Sequence, residues 1–526
     1  MTPPPSPSPS PSPSPYRMPG ALFDAVAAGG GGAAAVRLLG RAEHSRRLAC
    51  AYAVTVAARE AGGAAAEATE HAWTLLTDAA HVSPEAATAV LTHPSAGPAL
   101  FGLLAHLRRR THGQLPPPVH WFTALAISAA AHAGLPTRAE LPLTDSWAAL
   151  PSLGRAHFPD TGPGDHAEVH IDGAGDCRVT AAGATVRVPG LPYAEGALGG
   201  SLDGSLGGSL GGLPDSPSHG LTGAGGAHGS GGTAGASNSS RSPHSSGTPH
   251  DGIGTDSGSG TSTTGRWHSA YPLVTLDGGA PLLLDTLDPP CFPHSARHPA
   301  GISATEAGRW AGPVRGACRL LRADHPEAYA ELAAGTHLLV PLTRPGHGNR
   351  SGSSAETFGC VALSPPTSAT GLAVTLTHET QHNKLAALLH LFDLFEPGGP
   401  DRFYAPWRPD PRPLPGLFHG AYAHLGVARF WERRRETEPD PALRATAHAR
   451  FARWRLAAHE ATTVALASGR LTPLGHRFAQ HMLTTLDALC RLPVPAPALH
   501  QAESAARAHR ADWQTRNGDL PHRLSA

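Results

Sequence analysis

The chain almost lacks lysine: of its 41 basic residues Lys384 is the single lysine, and the remainder are arginine. It also lacks an excess of either charge, because Asp and Glu again total 41 and the formal net charge is zero. A general nucleic-acid binder or a polybasic membrane binder needs a positive excess, so both classes are excluded as first readings. No apolar run is long and clean enough to span a bilayer. Cysteine is sparse and scattered, at positions 50, 177, 291, 318, 360 and 490, with no C-x-x-C pair. That spacing excludes a disulfide framework or a structural zinc cluster and predicts buried thiols. The start, Met1 followed by Pro-Ser repeats to Pro15, has neither the positive charge nor the apolar stretch of a secretion signal. Residues 20–36 are interrupted by Asp24 and a glycine run. The expectation is a cytoplasmic protein, with Met18 as an alternative start.

Glycine (61) and proline (52) are over-used, and only 16% of residues are charged. Part of the chain is therefore low-complexity. Residues 1–19 read as a disordered Pro/Ser tail. Residues 20–150 carry Ala- and Leu-rich helical runs and no chemical motif, which predicts a helical N-terminal domain. Alternation at His166–Ile171, Asp176–Thr180 and Ala184–Val188 predicts hairpin strands, and the pattern resumes at Tyr271–Leu276 and Pro281–Leu284. Between them, residues 196–265 are Gly/Ser-rich with almost no large apolar side chain, so they read as a disordered insertion. The small antiparallel β unit thus spans 151–195 and 266–295. Residues 296–526 return to helical periodicity, with short strands at Thr336–Leu342 and Phe358–Leu363 and helices at 304–334, 367–395, 416–434, 441–467, 473–492 and 498–514. The expected fold is mainly α, of the α+β class.

Inside the 367–395 helix lies His378-Glu379-Thr380-Gln381-His382, an H-E-x-x-H motif. At about 3.6 residues per turn the two histidines share one face and form a rigid two-nitrogen chelate, with Glu379 beside it. The apolar flank (Leu372, Leu376, Leu385, Leu388) predicts burial, where polar side chains need a reason to be present. A third donor is required. Position 388, where a metzincin has histidine, is Leu. His390 lies about 12 Å along the axis from His382 and is too far. Glu396, His419 and His424 remain. The last two sit about 140° apart on the next helix, so only one of them is expected to face the motif.

The series Phe358-Gly359-Cys360-Val361, His378–Leu385, Tyr404-Ala405-Pro406-Trp407-Arg408, His419-Gly420-Ala421-Tyr422 and Ser468-Gly469-Arg470-Leu471-Thr472-Pro473 resembles the HExxH-motif proteins encoded beside ribosomally made, modified peptides. The resemblance is specific over about 300–490. It implies an iron(II)- and 2-oxoglutarate-dependent enzyme that hydroxylates the β-carbon of a residue in a precursor peptide, with other peptide-modifying enzymes as further partners. It also implies His419 as the third metal ligand. Three histidines differ from the usual two-histidine-one-carboxylate iron set.

Under that reading Glu379 handles protons or orients a neighbour. A guanidinium among Arg402, Arg408 and Arg412 receives the distal carboxylate of 2-oxoglutarate. Tyr404 and Trp407 either line the pocket or pack the loop. The competing reading puts Zn²⁺ on the same ligands, with Glu379 as the general base of a peptidase. A third is a partner-binding scaffold with a degenerate site. Lys384, about 200° around the helix from His382, is expected at the surface. The stretch with Arg433–Arg435, Arg450, Arg453 and Arg455 is expected as a solvated face, with an acidic leader peptide as its alternative partner.

Overall fold

Proline and small polar residues set the helix starts. In the computed structural model, which describes residues 16–109, 118–189, 265–286, 302–343, 350–399 and 401–518, six helices carry proline in their first turn, where its missing N–H costs nothing. Ser83, Ser303, Ser368, Asp440 and Thr472 each cap a helix by accepting a backbone N–H. The expected tail lies outside the described residues up to position 15, and the Gly/Ser insertion does so almost entirely.

The first half holds α1 (Gly20–Ala27), α2 (Gly32–Ala61), α3 (Ala64–Val82), α4 (Pro84–Thr92), α5 (Ala96–Arg109) and α6 (His120–Ala133). Strands follow: β1 (Thr137–Pro142), β2 (Trp147–Leu150), β3 (Gly154–His157), β4 (His166–Ile171), β5 (Cys177–Ala181), β6 (Ala184–Arg187), β7 (Arg266–His268), β8 (Tyr271–Thr275) and β9 (Pro281–Leu284). The second half has α7 (Ala304–Asp324), α8 (Pro326–Gly335), β10 (Leu338–Pro341), β11 (Ser351–Gly352), β12 (Cys360–Leu363), α9 (Ala369–Leu389), α10 (Leu414–Thr437), α11 (Pro441–Ala467), α12 (Pro473–Arg491) and α13 (Ala496–Asn517). The fold is mainly α with small sheets, as expected.

The β portion is not one antiparallel unit. Strands order as β1-β4-β5-β6 and β2-β3-β7, both antiparallel, and as a mixed sheet β11-β12-β10-β9-β8. In the last, β10 runs parallel to both β9 and β12. Its central strands are buried on both faces, which explains why β10 and β12 read as continuous apolar runs. Of the described cysteines, Cys50, Cys177, Cys318 and Cys360 are buried thiols as expected, and Cys490 is only partly buried. No single helix among the described residues is long and apolar enough to cross a membrane.

Two large cores form. One joins α2–α6 to the antiparallel strands. The other brings α1 and the start of α2 together with α7–α12, so the N-terminal segment packs into the body that holds the motif helix. Helix α9 is buried around most of its circumference, which accounts for its weak amphipathic pattern.

Lys384 departs most from expectation. It is 1% exposed rather than at the surface. Its Nζ donates to both carboxylate oxygens of Glu331 at 2.8 Å and to the Gly30 carbonyl at 3.0 Å. Glu331 also accepts the Gly32 N–H. Gln381, one turn back, donates to the Gly29 carbonyl at 2.8 Å. Positive φ at Gly29 (87°) and Gly31 (100°) lets the loop turn its carbonyls onto α9. The glycine run that breaks the N-terminal apolar stretch is therefore a clasp on the motif helix. Burial pushes the Lys384 ammonium down and the Glu331 carboxyl up, and mutual attraction opposes both.

Two predictions follow from this packing. Lys384→Met leaves Glu331 buried without its counter-ion and lowers stability by about 3–5 kcal/mol, while adding Glu331→Leu recovers most of the loss, as read from denaturant midpoints. Burial lowers His93 to about 3 and His325 to about 4 from 6.5, so both are neutral in the fold. Between those values and pH 6.5 the unfolded chain binds the extra protons. Each group therefore removes stability, by roughly 1.4 kcal/mol per unit, as pH falls through that window. Melts from pH 7 to pH 4 check this as a steady loss.

Candidate functional site

Helix α9 packs against α10, α7, α8 and α2, and touches β11. Its register places the Nε2 atoms of His378 and His382 3.1 Å apart, with the rings edge to face at 4.7 Å. Two nitrogens bound at about 2.0–2.1 Å to one ion lie roughly 2.9–3.4 Å apart for ligand angles between square and tetrahedral. Burial holds both imidazoles below their ordinary pKa, His382 furthest, where the three neighbouring histidines add to the effect. Two neutral rings this close must share either a proton or a cation.

Both histidines of α10 face the motif, where only one was expected. His424 lies 5.1 Å from the His378 ring and His419 lies 5.8 Å from the His382 ring. The later residue of α9 meets the earlier residue of α10, so the helices run antiparallel. The seam passes between the two α10 positions, and an offset of about 140° then leaves each flanking it. Burial keeps both neutral, at about 4 for His419, where Arg412 adds to the effect, and about 3 for His424.

The two differ in surroundings. His424 is buried. It donates Nδ1–H to the Gly420 carbonyl at 2.8 Å, which leaves Nε2 as its lone-pair nitrogen. Its ring stacks on Trp407 at 4.4 Å and packs against Trp454 at 4.6 Å. Gly420 allows this, because a Cβ there would overlap the Trp407 indole. Trp407 thus belongs to the site wall. His419 is half-buried beside Arg412. His390 instead pairs with Glu43 at 2.7 Å, and Glu396 is exposed.

Glu379 is buried beside the pair and spoken for. One oxygen accepts the Ser351 hydroxyl at 2.8 Å and the other accepts Ser353 at 2.9 Å. These serines lie in a Ser-Gly-Ser-Ser stretch that carries no motif of its own. Its short strand pairing with β12 was the missing signal.

The three loop arginines separate clearly. Arg402 is exposed, with a bond to the Asp401 carbonyl. Arg408 is exposed and paired with Asp410 at 2.9 Å. Arg412 is less exposed, at 33%, and its Nη1 also donates to Asp410 at 3.4 Å; Phe403 and Arg412 exchange backbone hydrogen bonds at 2.8 and 2.9 Å, and the Arg412 Nε is buried without a partner. Tyr404 turns away, bonding His509 at 2.9 Å and packing on Trp513, so it fixes the loop to α13.

The late arginines do not form a solvated face throughout. Arg455 bonds the Leu489 and Leu492 carbonyls at the end of α12, and Arg435 bonds the Pro493 carbonyl. Arg453 bonds the Pro406 carbonyl. Arg450 lies over Trp431. These cations tie helix ends and loops together. Arg433 stays half exposed in a long pair with Glu436 at 3.7 Å, and Arg450 is exposed as well.

Among the described residues no group of three or more His, Cys, Asp or Glu side chains is closed tightly enough to hold an ion as it stands. The structure therefore presents a two-nitrogen pair with one further imidazole on each flank. His378, His382 and His419 are brought together, but their three donors do not converge on a point.

The pair should bind Fe(II) or Zn²⁺ in solution. His382→Ala should weaken binding by more than the roughly 100-fold that losing an outer partner costs. His419→Ala should weaken it similarly, and His424→Phe, which keeps the ring between two tryptophans, should not. Metal content after dialysis reads all three. Comparison with known protein families finds no family model that matches the chain, and comparison with curated proteins finds no match.

Proposed function

We propose that the chain is an Fe(II)- and 2-oxoglutarate-dependent hydroxylase that acts on the β-carbon of a residue in a ribosomally made precursor peptide. The observation that carries the metal site is the pair of neutral imidazole nitrogens 3.1 Å apart. Those donors fit a borderline divalent ion. His378 and His382 would hold it, with His419 as third ligand. When bound, iron with 2-oxoglutarate and O₂ supplies the oxidising power for placing oxygen in a C–H bond.

The protein's own contribution is position and exclusion of water. Arg412 offers a buried, unpartnered Nε beside His419, which suits the distal carboxylate of the cosubstrate. Arg402 and Arg408 are too exposed for that task. Trp407 and Trp454 wall the His424 side, which keeps the metal environment dry there. Glu379, held by two serine hydroxyls, acts as a positioning residue that ties β11 to the motif helix.

The zinc peptidase reading uses the same histidines but asks Glu379 to serve as general base. Both of its oxygens already accept hydroxyl hydrogens, which disfavours that role. The resemblance of the motif series to peptide-modifying HExxH proteins supports hydroxylation and the peptide substrate.

Anaerobic loading with Fe(II), followed by 2-oxoglutarate and air, should release succinate, and His382→Ala should release none. Arg412→Met should raise the KM for 2-oxoglutarate about tenfold or more with a smaller effect on kcat. Peptide cleavage by the zinc form without succinate production would favour the peptidase. An unchanged KM in Arg412→Met would remove that residue from the cosubstrate site.

A further inference from the structure

A flank of the motif helix, about 100° around from the histidine pair, borders a cavity of about 300 Å³, the lower end of the range for small-molecule sites. Thr377 and Gln381 of α9 line it, together with His325, Glu331, Phe430 and the rim residues Arg429, Glu432 and Arg433. It is separate from the histidine cluster: none of His378, His382, His419 or His424 lines it.

Two buried polar atoms on this wall lack partners. Gln381 is 3% exposed, and its Oε1 has no hydrogen bond. Its orientation is fixed, because Nε2 donates to the Gly29 carbonyl and the absence of a side chain at Gly426 gives the amide its room. An amide oxygen accepts only, so whatever completes this wall brings an N–H or O–H. His325 is 9% exposed, its Nε2 is likewise unpartnered, and its ring stacks on Phe430 at 4.3 Å. An orphaned buried acceptor is destabilising, and a bound donor relieves it.

The charges around the cavity divide in use. Glu331 is satisfied by Lys384 and Gly32. Asp324 is satisfied by Arg434 and Thr437. Glu327 is paired with Arg429 at 2.9 Å. Glu432, half-buried, and Arg433, in its long pair with Glu436, are the opposite charges least committed elsewhere. A small ligand that satisfies the floor and both of these has a donor cation at one end and an anion at the other.

We propose that this cavity binds a small zwitterion of the free α-amino acid class, its ammonium donating to Gln381 Oε1 beside Glu432 and its carboxylate received by Arg433. The site does not depend on the reading of the histidine cluster. Arg433 presents the planar guanidinium that a carboxylate prefers, and the apolar Phe430 wall receives a side chain.

Calorimetric titration of the full chain with each of the twenty protein amino acids tests this. At least one should bind at one site per chain. Capping its amino group by acetylation, or its carboxylate as the amide, should each weaken binding by about tenfold or more, the loss of one charge-assisted bond. Arg433→Ala, a change at an exposed side chain that leaves the fold intact, should do the same. Gln381→Met should weaken binding, and because it also leaves the Gly29 carbonyl unpaired it is titrated well below its own, lowered melting transition. His382→Ala, which disables the proposed metal site, should leave amino-acid binding unchanged. No binding by any amino acid at millimolar concentration would overturn the proposal. So would equal binding in Arg433→Ala, or loss of binding in His382→Ala, which would place the ligand at the histidines instead.

Discussion

The buried ammonium of Lys384 fixes where the motif helix sits. It is held by a carboxylate from α8 and a carbonyl from the glycine loop between α1 and α2, so three distant parts of the chain meet at one cation. A pair of buried charges stabilises little by itself, because desolvation consumes most of the attraction. Its value lies in geometry. A lone buried charge is costly enough that any slip of α9 by one residue is strongly disfavoured. Gln381 repeats the constraint one turn earlier, on the Gly29 carbonyl. With the back of the helix pinned twice, the front can present two imidazoles at chelating distance without support from a bound ion.

The chemistry on the front face follows from the same burial. Imidazoles withdrawn from water resist protonation, so the four rings around the seam remain donors at neutral pH. Neutral nitrogens are what a divalent ion needs, and a charged pair would repel it. The glycines of α10 serve the arrangement by absence. Gly420 admits the Trp407 indole and Gly426 admits the Gln381 amide, so one helix packs closely on both sides of its contact with α9. The loop that carries Trp407 and Arg412 is closed by a two-bond backbone bridge between Phe403 and Arg412. One local pairing thereby sets both a wall and a cation of the site.

What was legible in the sequence was local. Helical periodicity marked α9 to α13 and alternation marked β4 to β6, because both patterns depend on neighbours in the chain. The i, i+4 spacing of His378 and His382 is equally local. The partners were not legible. Lys384 reads as a surface lysine until Glu331 and Gly30 are brought to it from 53 and 354 residues away. Arg453 and Arg455 read as a solvated basic face until the carbonyls of Pro406, Leu489 and Leu492 are found under them. The choice among Arg402, Arg408 and Arg412 rested on a backbone bridge that leaves no mark in side-chain pattern. The apolar runs at β10 and β12 were found, but parallel pairing has no signature that separates it from any other buried strand.

Gln381 lies between the two motif histidines in sequence and on a flank of the helix, about 60° around from His378 and about 100° from His382. Its amide touches the clasp and lines the cavity, as Gly29 and Glu331 also do, and His382 follows it directly in the chain. A ligand that engages Oε1 would tighten a side chain already tethered to Gly29 and so restrict rotation of the helix about its axis. The spacing of the two front nitrogens is sensitive to that rotation, since a turn of α9 moves both rings relative to His419 and His424 on a fixed neighbour. With α9 already held at Gly29 and by the Lys384–Glu331 pair, that rotation is small before any ligand arrives, so the two faces bind independently of each other.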